Sequence, residues 1–392
     1  MEWEKYLKDA LRAIYKKEGY NKQAQDNLLK QNEDTLRSLE RRLNHQIYKF
    51  GIWKPMVKNE IKNGKPKERI IIKPDFFDKI ILKSVCEYIR PILEPHFKLV
   101  DKNSFAYQKG KSIRDALLRI KESYRPGNVI LKLDIKSFFD NINPDKVLAL
   151  LGNLDLKLDK YVIYLIQVSL SPTLEINEYY ERACASLING IPQGNPVSSV
   201  LSNLYLLELD WKYASNNIKM VRYADDIVFI LEDKEQAELI YNEVKEYLKE
   251  SRGLDVHPIE GNNEKTVLYD DLLSQPLLYL GMKFDGSKIL PTEEKFKKLE
   301  NTINSIIYDS NIKKEIRDEL IDEKINQWCG YFSFSDVEKE TLDILSRTIN
   351  EIGKKIIGSC EWENINIWES FHFYKANKRR LDFGEKYDWL KY

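Results

Sequence analysis

The chain has 392 residues, of which 43% are hydrophobic and 11% aromatic, so it can bury a large core divided over two or three subdomains. The sequence has no charged-then-apolar leader and no apolar run of about 18 residues, so we expect neither export nor membrane insertion, with a cytoplasmic location by default. Four cysteines without a CxxC pair and four scattered histidines argue against a zinc site or a disulfide framework, and the cysteines are expected to be core thiols.

The formal net charge of zero conceals an asymmetry along the chain. Residues 1–130 carry 29 Lys and Arg against 17 Asp and Glu, whereas residues 131–392 carry 33 against 45. A basic N-terminal third suits a polyanionic partner, and acidic groups further along can hold metal ions. Solvated helix faces with uneven charge are the alternative explanation.

The first part of the chain is predicted to be helical, with one hairpin. Leucines at helical spacing predict helices over residues 1–50. A turn at residues 64–68 followed by the β-rich run 69–74 predicts a basic hairpin. A helix is then predicted from residue 75 to about 96, where "RPILEP" closes it, and a loop over residues 103–112 leads into the next helix.

The middle and the end of the chain are predicted to place strands around acidic residues. Val129 to Leu133 is a predicted strand with Asp134 at its end. The remaining predicted elements are a helix from Pro144, a Gly/Pro-rich turn and a helix from about 197 to 211, two strands flanking residues 224–226, a helix near 235–249, a hairpin with Asp285-Gly286 at its tip, and helices over 293–360.

The stretch "MVRYADDIVFI" (residues 220–230) sets Asp225 and Asp226 between two apolar runs. Adjacent aspartates between strands usually form a turn, but here both arms read as buried and we expect no basic side chain close in sequence to neutralise the pair. Asp134 ends another apolar strand upstream. Three carboxylates from two strands can converge at one sheet edge only if cations offset their repulsion, and Mg²⁺ suits such oxygen ligands. Two Mg²⁺ ions about 3.5–4 Å apart would favour nucleotidyl transfer.

An ordered series of motifs resembles the prokaryotic reverse transcriptases of the retron, group II intron and defence-associated type. Over roughly residues 50–290 the series is "KERIIIKP", "SFAYQKGKS", "LKLDIKSFFDNI", "GIPQGNPVSSVLSN", "RYADDIVFI", "EKT" and "YLGMKF". "INQWCGYF" (residues 325–332) is similar to the tryptophan-containing thumb segment of group II enzymes. Seven blocks in order are far more specific than any one of them.

This resemblance implies an α+β, right-hand polymerase fold with fingers, a palm carrying an antiparallel sheet, and a helical thumb. The implied domains are an N-terminal helical extension over residues 1–49, fingers and palm over 50–292, the thumb over 293–360 and a C-terminal tail over 361–392.

The resemblance also implies roles for individual residues. Asp134, Asp225 and Asp226, with the carbonyl of Ile135, would hold two Mg²⁺ ions, for which Mn²⁺ could substitute. Lys265 would act as the general acid that protonates leaving pyrophosphate.

Further implied roles concern substrate binding, each with a structural alternative. Lys67 and Arg69 would grip the incoming triphosphate, or lie in a solvated turn. Phe139 would be the steric gate that excludes a 2′-hydroxyl, or a core residue. The implied residues beside the nucleotide are Gln193 and Gly194, and those at the primer and template are Tyr279, Leu280, Gly281 and Trp328, with core packing as the alternative for Trp328.

The biological setting is predicted from what the motifs lack. The retron-type NAxxH and VTG blocks are not found, and the four histidines do not suit the endonuclease segment of intron proteins. We therefore expect a defence-associated enzyme that copies a dedicated non-coding RNA template into DNA from dNTPs, with a homo-oligomer or a defence partner protein left open. The alternatives are template-independent or protein-primed DNA synthesis, a retron-like or group II intron-like enzyme, and an RNA-binding scaffold with an inactive polymerase fold.

Overall fold

The structure is a computed structural model that describes residues 2–62, 65–154, 156–175, 190–216, 218–259, 265–358 and 362–377. The side chains of residues 60–62, 65–67 and 315 also lie outside this description. The chain divides into two compact units, Met1–Asp270 and Asp271–Tyr392. Both helices and antiparallel sheets are present, which confirms the predicted α+β class.

The first unit contains helices α1 to α11 and strands β1 to β6 among its described residues. In chain order they are α1 Trp3–Lys17, α2 Lys22–Gln31, α3 Glu33–Asn44, β1 Lys54–Lys62, β2 Lys65–Lys73, α4 Phe76–Lys98, α5 Ile113–Ser123, β3 Val129–Asp134, α6 Phe138–Asn141, α7 Pro144–Asn153, α8 Lys160–Leu170, α9 Pro196–Tyr205, α10 Leu207–Ser215, β4 Lys219–Tyr223, β5 Asp226–Leu231, α11 Lys234–Tyr247 and β6 Val267–Tyr269.

A four-stranded antiparallel sheet in the order β4-β5-β3-β6 is the centre of the first unit. Strand β3 lies inside the sheet, and five of its six residues are buried. Strand β5 is buried along its whole length after Asp226. Continuous apolar runs of this kind are expected when both faces of a strand are covered, and helix α11 contacts both β3 and β5.

Helix α1 packs against α4 and α3 through an amphipathic face. Leu7, Leu11 and Ile14 recur at intervals of three and four residues and are fully buried. The helix of residues 75 to about 96 was predicted to close at "RPILEP", but α4 continues through Pro91 and Pro95. A proline inside a helix removes one hydrogen bond and crowds the preceding turn, which destabilises the helix. Burial of neighbouring apolar side chains such as Ile89 and Leu93 offsets this loss of stability.

The helix predicted over residues 197–211 is interrupted. Leu206 separates α9 from α10, with φ −104° and ψ 3°. Every residue from Val200 to Tyr205 is buried, whereas Trp211 in α10 is 55% exposed. The break at Leu206 lets the largely buried helix α9 be followed by a helix that has a solvent face.

The second unit begins with a three-stranded antiparallel sheet and continues as helices. Its elements are β7 Leu277–Tyr279, β8 Met282–Phe284, β9 Ile289–Pro291, α12 Glu293–Tyr308, α13 Lys314–Phe332, α14 Lys339–Ile356 and α15 Ile367–Asn377. The β8–β9 hairpin confirms the prediction of a turn at Asp285-Gly286.

The cysteines and the length of the apolar helices were also considered in the sequence, and the described residues bear on both. Cys86 and Cys329 are buried free thiols, as predicted, while Cys184 and Cys360 lie outside the described residues. In the described part of the chain, no helix is both long and apolar enough to cross a membrane.

Candidate active site

Asp134 and Asp226 face each other across the sheet. Asp134 is the last residue of β3, Asp226 is the first of β5, and the antiparallel register pairs the two directly. The two residues that link β4 to β5 are Ala224 and Asp225, because Tyr223 pairs with Asp226. The adjacent aspartates therefore lie at a tight hairpin turn. The three carboxyl groups belong to the same end of one sheet.

The turn has a strained backbone. Ala224 has φ 59°, in the left-handed region that L-residues other than glycine, asparagine and aspartate rarely adopt. Such a conformation costs roughly 1–2 kcal/mol, so surrounding contacts must hold it. Strain of this kind next to two carboxylates is typical of functional sites.

Asp225 carries the clearest electrostatic signature of the site. Burial, followed by the nearby charges of Asp226 and Asp134, raises the pKa of Asp225 to about 7, and the charge of Arg69 opposes the shift. A carboxyl whose charged form is disfavoured in this way is a group that a bound cation would stabilise. The same interactions show that Arg69, in β2, lies close enough to Asp225 to affect its charge.

Asp134 has two basic neighbours. The Nζ of Lys265 donates a hydrogen bond to Oδ2 of Asp134 at 2.6 Å, and Nε2 of His257 lies 3.5 Å from the same oxygen. The backbone N–H of His257 donates to the carbonyl of Asp134 at 3.1 Å, which fixes the histidine beside the strand end. No local sequence signal indicates His257 as a site residue, because the pairing of Ile135 with Val256 is what brings it there.

The donor set suits a hard divalent cation, although the carboxylates are not gathered around one point. Among the described residues, no three acidic, histidine or cysteine side chains already form a metal-binding group. Asp134 is turned toward Lys265, while Asp225 lies in the field of the other two aspartates. Mg²⁺ binds carboxylate oxygens in proteins, and its charge offsets the repulsion between neighbouring carboxylates. The three aspartates are therefore chemically suitable ligands for this ion.

The "GIPQGNP" turn joins β2 to the segment that follows Asp134. The N–H of Ile72 donates to the carbonyl of Gln193 at 2.7 Å, and the N–H of Ile191 donates to the carbonyl of Phe139 at 2.9 Å. A Cβ on Gly194 would lie 2.4 Å from the carbonyl oxygen of Ile72, and the φ of Gly194 is +107°. Only glycine meets both conditions without displacing β2.

Phe139 lies beside this turn, partly buried. Its ring packs edge-on against Phe138 with 5.5 Å between the centroids, and Phe138 itself is 3% exposed. Phe138 is the core residue of the pair, which leaves part of Phe139 accessible. Ile135 is 1% exposed, and the side chain of Lys67 lies outside the described residues.

The predicted primer and template residues belong to the second unit, and two of them need correction. Trp328 is fully buried, donates from Nε1 to the carbonyl of Lys295 at 3.2 Å, and packs against Phe332. Tyr279 is 2% exposed. Neither side chain offers surface to a nucleic acid, because both fill the core of this unit. Leu280 and Gly281, with φ 53° and 76°, form the partly exposed tip of the β7–β8 hairpin.

The expectation that no basic side chain lies near the aspartate pair is also wrong. Arg222 is three residues before Asp225, and its side chain is 1% exposed. It forms an ion pair with Asp210 in α10. Its charge is balanced by Asp210. Burial and the charges of Asp226 and Asp134 still raise the pKa of Asp225.

The family model described as reverse transcriptase (RNA-dependent DNA polymerase) matches residues 61–284. The chain belongs to the reverse transcriptase family. The match covers the described active-site residues of the first unit, and it agrees with the predicted right-hand polymerase fold. The defence-associated subtype remains a prediction.

Curated relatives of this reverse transcriptase include two intron proteins. The group II intron-encoded protein LtrA of Lactococcus lactis subsp. cremoris is 34% identical over 150 residues, which is 38% of this chain and 23% of the relative. An uncharacterised 91 kDa protein in the cob intron of Schizosaccharomyces pombe is 33% identical over 162 residues, 39% of this chain and 19% of the relative. The matched region thus spans less than a quarter of these relatives.

Solved structures with detectable similarity include two polymerase classes. Apo telomerase from Candida tropicalis aligns with a TM-score of 0.47 and 14% identity, over 88% of this chain and 68% of the other. The RNA-dependent RNA polymerase of a human picobirnavirus aligns with a TM-score of 0.48 and 15% identity, over 84% and 65%. The family assignment rests on the sequence match alone.

Proposed function

We propose that this reverse transcriptase is an RNA-directed DNA polymerase that extends a DNA strand from dNTPs. The observation that carries the proposal is the pairing of Asp134 with Asp226 across the sheet, with Asp225 in the adjoining turn. Two strands and a two-residue turn thereby supply three carboxylates at one sheet end. Nucleotidyl transfer needs such a set to hold metal ions at the reacting phosphate.

Asp134, Asp225 and Asp226 would hold two Mg²⁺ ions, and the carbonyl of Ile135 would contribute a backbone ligand. When bound, the ions would neutralise charge on the phosphate and activate the attacking 3′-hydroxyl. Mn²⁺ prefers the same oxygen ligands and is the expected substitute. Asp134 would exchange its contact with Lys265 for the metal.

Lys265 is proposed as the general acid. Its ammonium group lies 2.6 Å from Asp134 and is partly exposed, so it can reach a leaving group beside that carboxylate. Proton donation to pyrophosphate by a positioned side chain contributes about 10²–10⁴-fold to such reactions. The imidazole of His257 also lies near Asp134, with 3.5 Å between Nε2 and Oδ2.

The nucleotide is proposed to bind beside the junction of β2 and the "GIPQGNP" turn. Arg69, whose charge acts on Asp225, would contact the triphosphate in a bidentate manner, assisted by Lys67. Gln193 and Gly194, tied to β2 at Ile72, would line the nucleotide, and the accessible part of Phe139 would exclude a 2′-hydroxyl. The tip residues Leu280 and Gly281 are the proposed primer contact.

The proposed template is RNA, held mainly through phosphate contacts by the basic N-terminal third of the chain. We further propose a non-coding RNA as its source and bacterial antiphage defence, in the cytoplasm, as its setting. The similarity to intron-encoded proteins supports the group II intron-like enzyme as the second candidate.

The test is extension of a primer on an RNA template with Mg²⁺ and each dNTP. The wild-type protein is expected to make complementary DNA, and Asp225→Asn to make none while still binding RNA. DNA made without regard to template would point to the untemplated alternative. Activity retained in Asp225→Asn would overturn the site assignment. Sequencing the nucleic acid that co-purifies from the host identifies the template and separates a defence RNA from an intron.

A further inference from the structure

Arg222 and Asp210 form a buried ion pair directly behind the catalytic turn. Both side chains are 1% exposed. Nε of Arg222 donates to Oδ1 of Asp210 at 2.7 Å, and Nη2 donates to Oδ2 at 2.5 Å, so the contact is bidentate. Removing two charges from water costs about as much as their attraction returns, so stability alone is a weak reason for such a pair.

The remaining terminal nitrogen of the same guanidinium contacts the turn. Nη1 of Arg222 donates to the carbonyl oxygen of Ala224 at 2.9 Å and to Oδ1 of Asn203 at 3.2 Å. The carbonyl of Ala224 and the nitrogen of Asp225 share one peptide plane. Arg222 therefore holds the plane from which the Asp225 side chain projects, next to the residue with φ 59°.

The "SFAYQKGKS" loop is fastened to the same arginine. Nη2 of Arg222 donates to Oγ of Ser104 at 2.9 Å. Two backbone hydrogen bonds add to this contact: the N–H of Arg222 donates to the carbonyl of Asn103 at 2.6 Å, and the N–H of Phe105 donates to the carbonyl of Arg222 at 3.0 Å. Nδ2 of Asn203 donates to the carbonyl of Ala106 at 2.6 Å. One side chain thus joins this loop, α9, α10 and the turn.

We propose that Arg222, oriented by Asp210, is a positioning residue that fixes the peptide between Ala224 and Asp225 and so directs the Asp225 carboxylate. The inference rests on the proposed function, since it assumes that Asp225 acts in nucleotidyl transfer. Only a planar guanidinium can bind Asp210 with two nitrogens while a third reaches Ala224. A lysine keeps the charge but not this geometry.

Arg252 provides a matched control in the same unit. Arg252 is also buried, at 8% exposure, and its guanidinium also donates hydrogen bonds to one backbone carbonyl and one carboxylate. Nε of Arg252 donates to the carbonyl of Tyr205 at 2.8 Å, and Nη2 donates to Oε2 of Glu208 at 2.5 Å. Arg252→Lys therefore perturbs a buried arginine of similar chemistry whose partners lie on α9 and α10.

The experiment compares wild type, Arg222→Lys, Arg252→Lys and Asp225→Asn in thermal unfolding and single-nucleotide extension. For Arg222→Lys we expect kcat to fall about 10²-fold, the KM for dNTP to stay within about threefold, and the half-saturating Mg²⁺ concentration to rise, because the carboxylate is misplaced. For Arg252→Lys we expect a loss of Tm no larger than that of Arg222→Lys, because Glu208 is 62% exposed, and a kcat within about threefold of wild type.

Two results overturn the inference. One is an unchanged kcat in Arg222→Lys while Asp225→Asn is inactive, which leaves the proposed function standing. The other is an equal loss of kcat in both lysine variants. Activity retained in Asp225→Asn overturns the proposed function together with this inference.

A milder variant keeps the inference testable if Arg222→Lys does not fold. Ser104→Ala removes one contact of the guanidinium and the hydrogen bond between Ser104 and Asp210, while both charged side chains of the ion pair remain. A loss in kcat of about three- to tenfold at an unchanged Tm supports the positioning role, and an unchanged kcat overturns it.

Discussion

Asp134 and Asp226 are paired directly across the β3–β5 ladder, so the last residue of one strand faces the first residue of the other. This register places two aspartates that are 92 residues apart in sequence opposite each other. The position of Asp225 follows from the neighbouring β4–β5 pairing, because only Ala224 and Asp225 lie in the turn between these strands.

Replacing Asp134 with Asn should reduce incorporation at least about 10³-fold while RNA binding changes little, because the metal site loses one charged ligand. Primer extension and filter binding measure the two effects. Asp255→Asn is the control, since Asp255 lies close in space to the strand end but its exposed carboxylate pairs with Lys249. Equal losses in both variants would contradict the assignment of Asp134.

The pH dependence of stability should change in Asp225→Asn without metal. The folded pKa of Asp225, about 7, lies above its ordinary 3.8, so its protonated form stabilises the fold at low pH and this stability is lost as pH rises through about 7. The variant should therefore gain stability over wild type as pH increases from about 4 to about 8, by no more than about 4 kcal/mol because the three aspartates titrate together.

Denaturant unfolding in EDTA at several pH values measures this difference. Added Mg²⁺ should stabilise the wild type and reduce the advantage of Asp225→Asn, since the ion binds the charged carboxylates. A constant difference between the two proteins at all pH values would show that the Asp225 carboxyl titrates normally.

Lys265→Met should lower kcat by about 10²–10⁴-fold if the ammonium group donates a proton to pyrophosphate. Pre-steady-state extension over a range of pH values measures the rate and the ionisation that controls it. Lys265→Arg separates proton donation from charge, because arginine keeps its proton under these conditions. A full rate in Lys265→Arg would assign Lys265 an electrostatic role at Asp134 instead.

Phe139→Ala should increase the incorporation of ribonucleotides relative to deoxynucleotides by about 10–100-fold, because the ring no longer fills the space of a 2′-hydroxyl. Competition between rNTP and dNTP on one template measures the ratio. Phe138→Leu is the matched control, since Phe138 is the buried ring of the pair and its truncation should lower Tm without changing selectivity. An unchanged ratio in Phe139→Ala would identify Phe139 as a packing residue.

Gly194→Ala should impair nucleotide incorporation, because its Cβ would lie 2.4 Å from the carbonyl oxygen of Ile72 and would displace the turn from β2. Gly127→Ala controls for backbone strain, since Gly127 has φ +92° and nothing within 4 Å of an added Cβ. We expect a higher KM for dNTP in Gly194→Ala and unchanged kinetics in Gly127→Ala. Equal effects on kinetics would assign the change to strain alone.

The sequence determined the local elements around the site. The apolar run before Asp134 and the two runs around Asp225 and Asp226 specify strands, because continuous burial and β-branched residues favour extended backbone. The order of the motifs also specified the family, which the match over residues 61–284 shows.

Only the tertiary structure decided which side chains meet. The pairing of Ile135 with Val256 brings His257 to Asp134, and strand β4 places Arg222 against Asp210, although neither contact has a local sequence signal. Trp328 likewise became a core residue because the rings around it cover its surface. The spacing of apolar residues along the chain determines which residues belong to one helix or strand. Which helices and strands lie next to each other depends on packing between residues that are far apart in sequence.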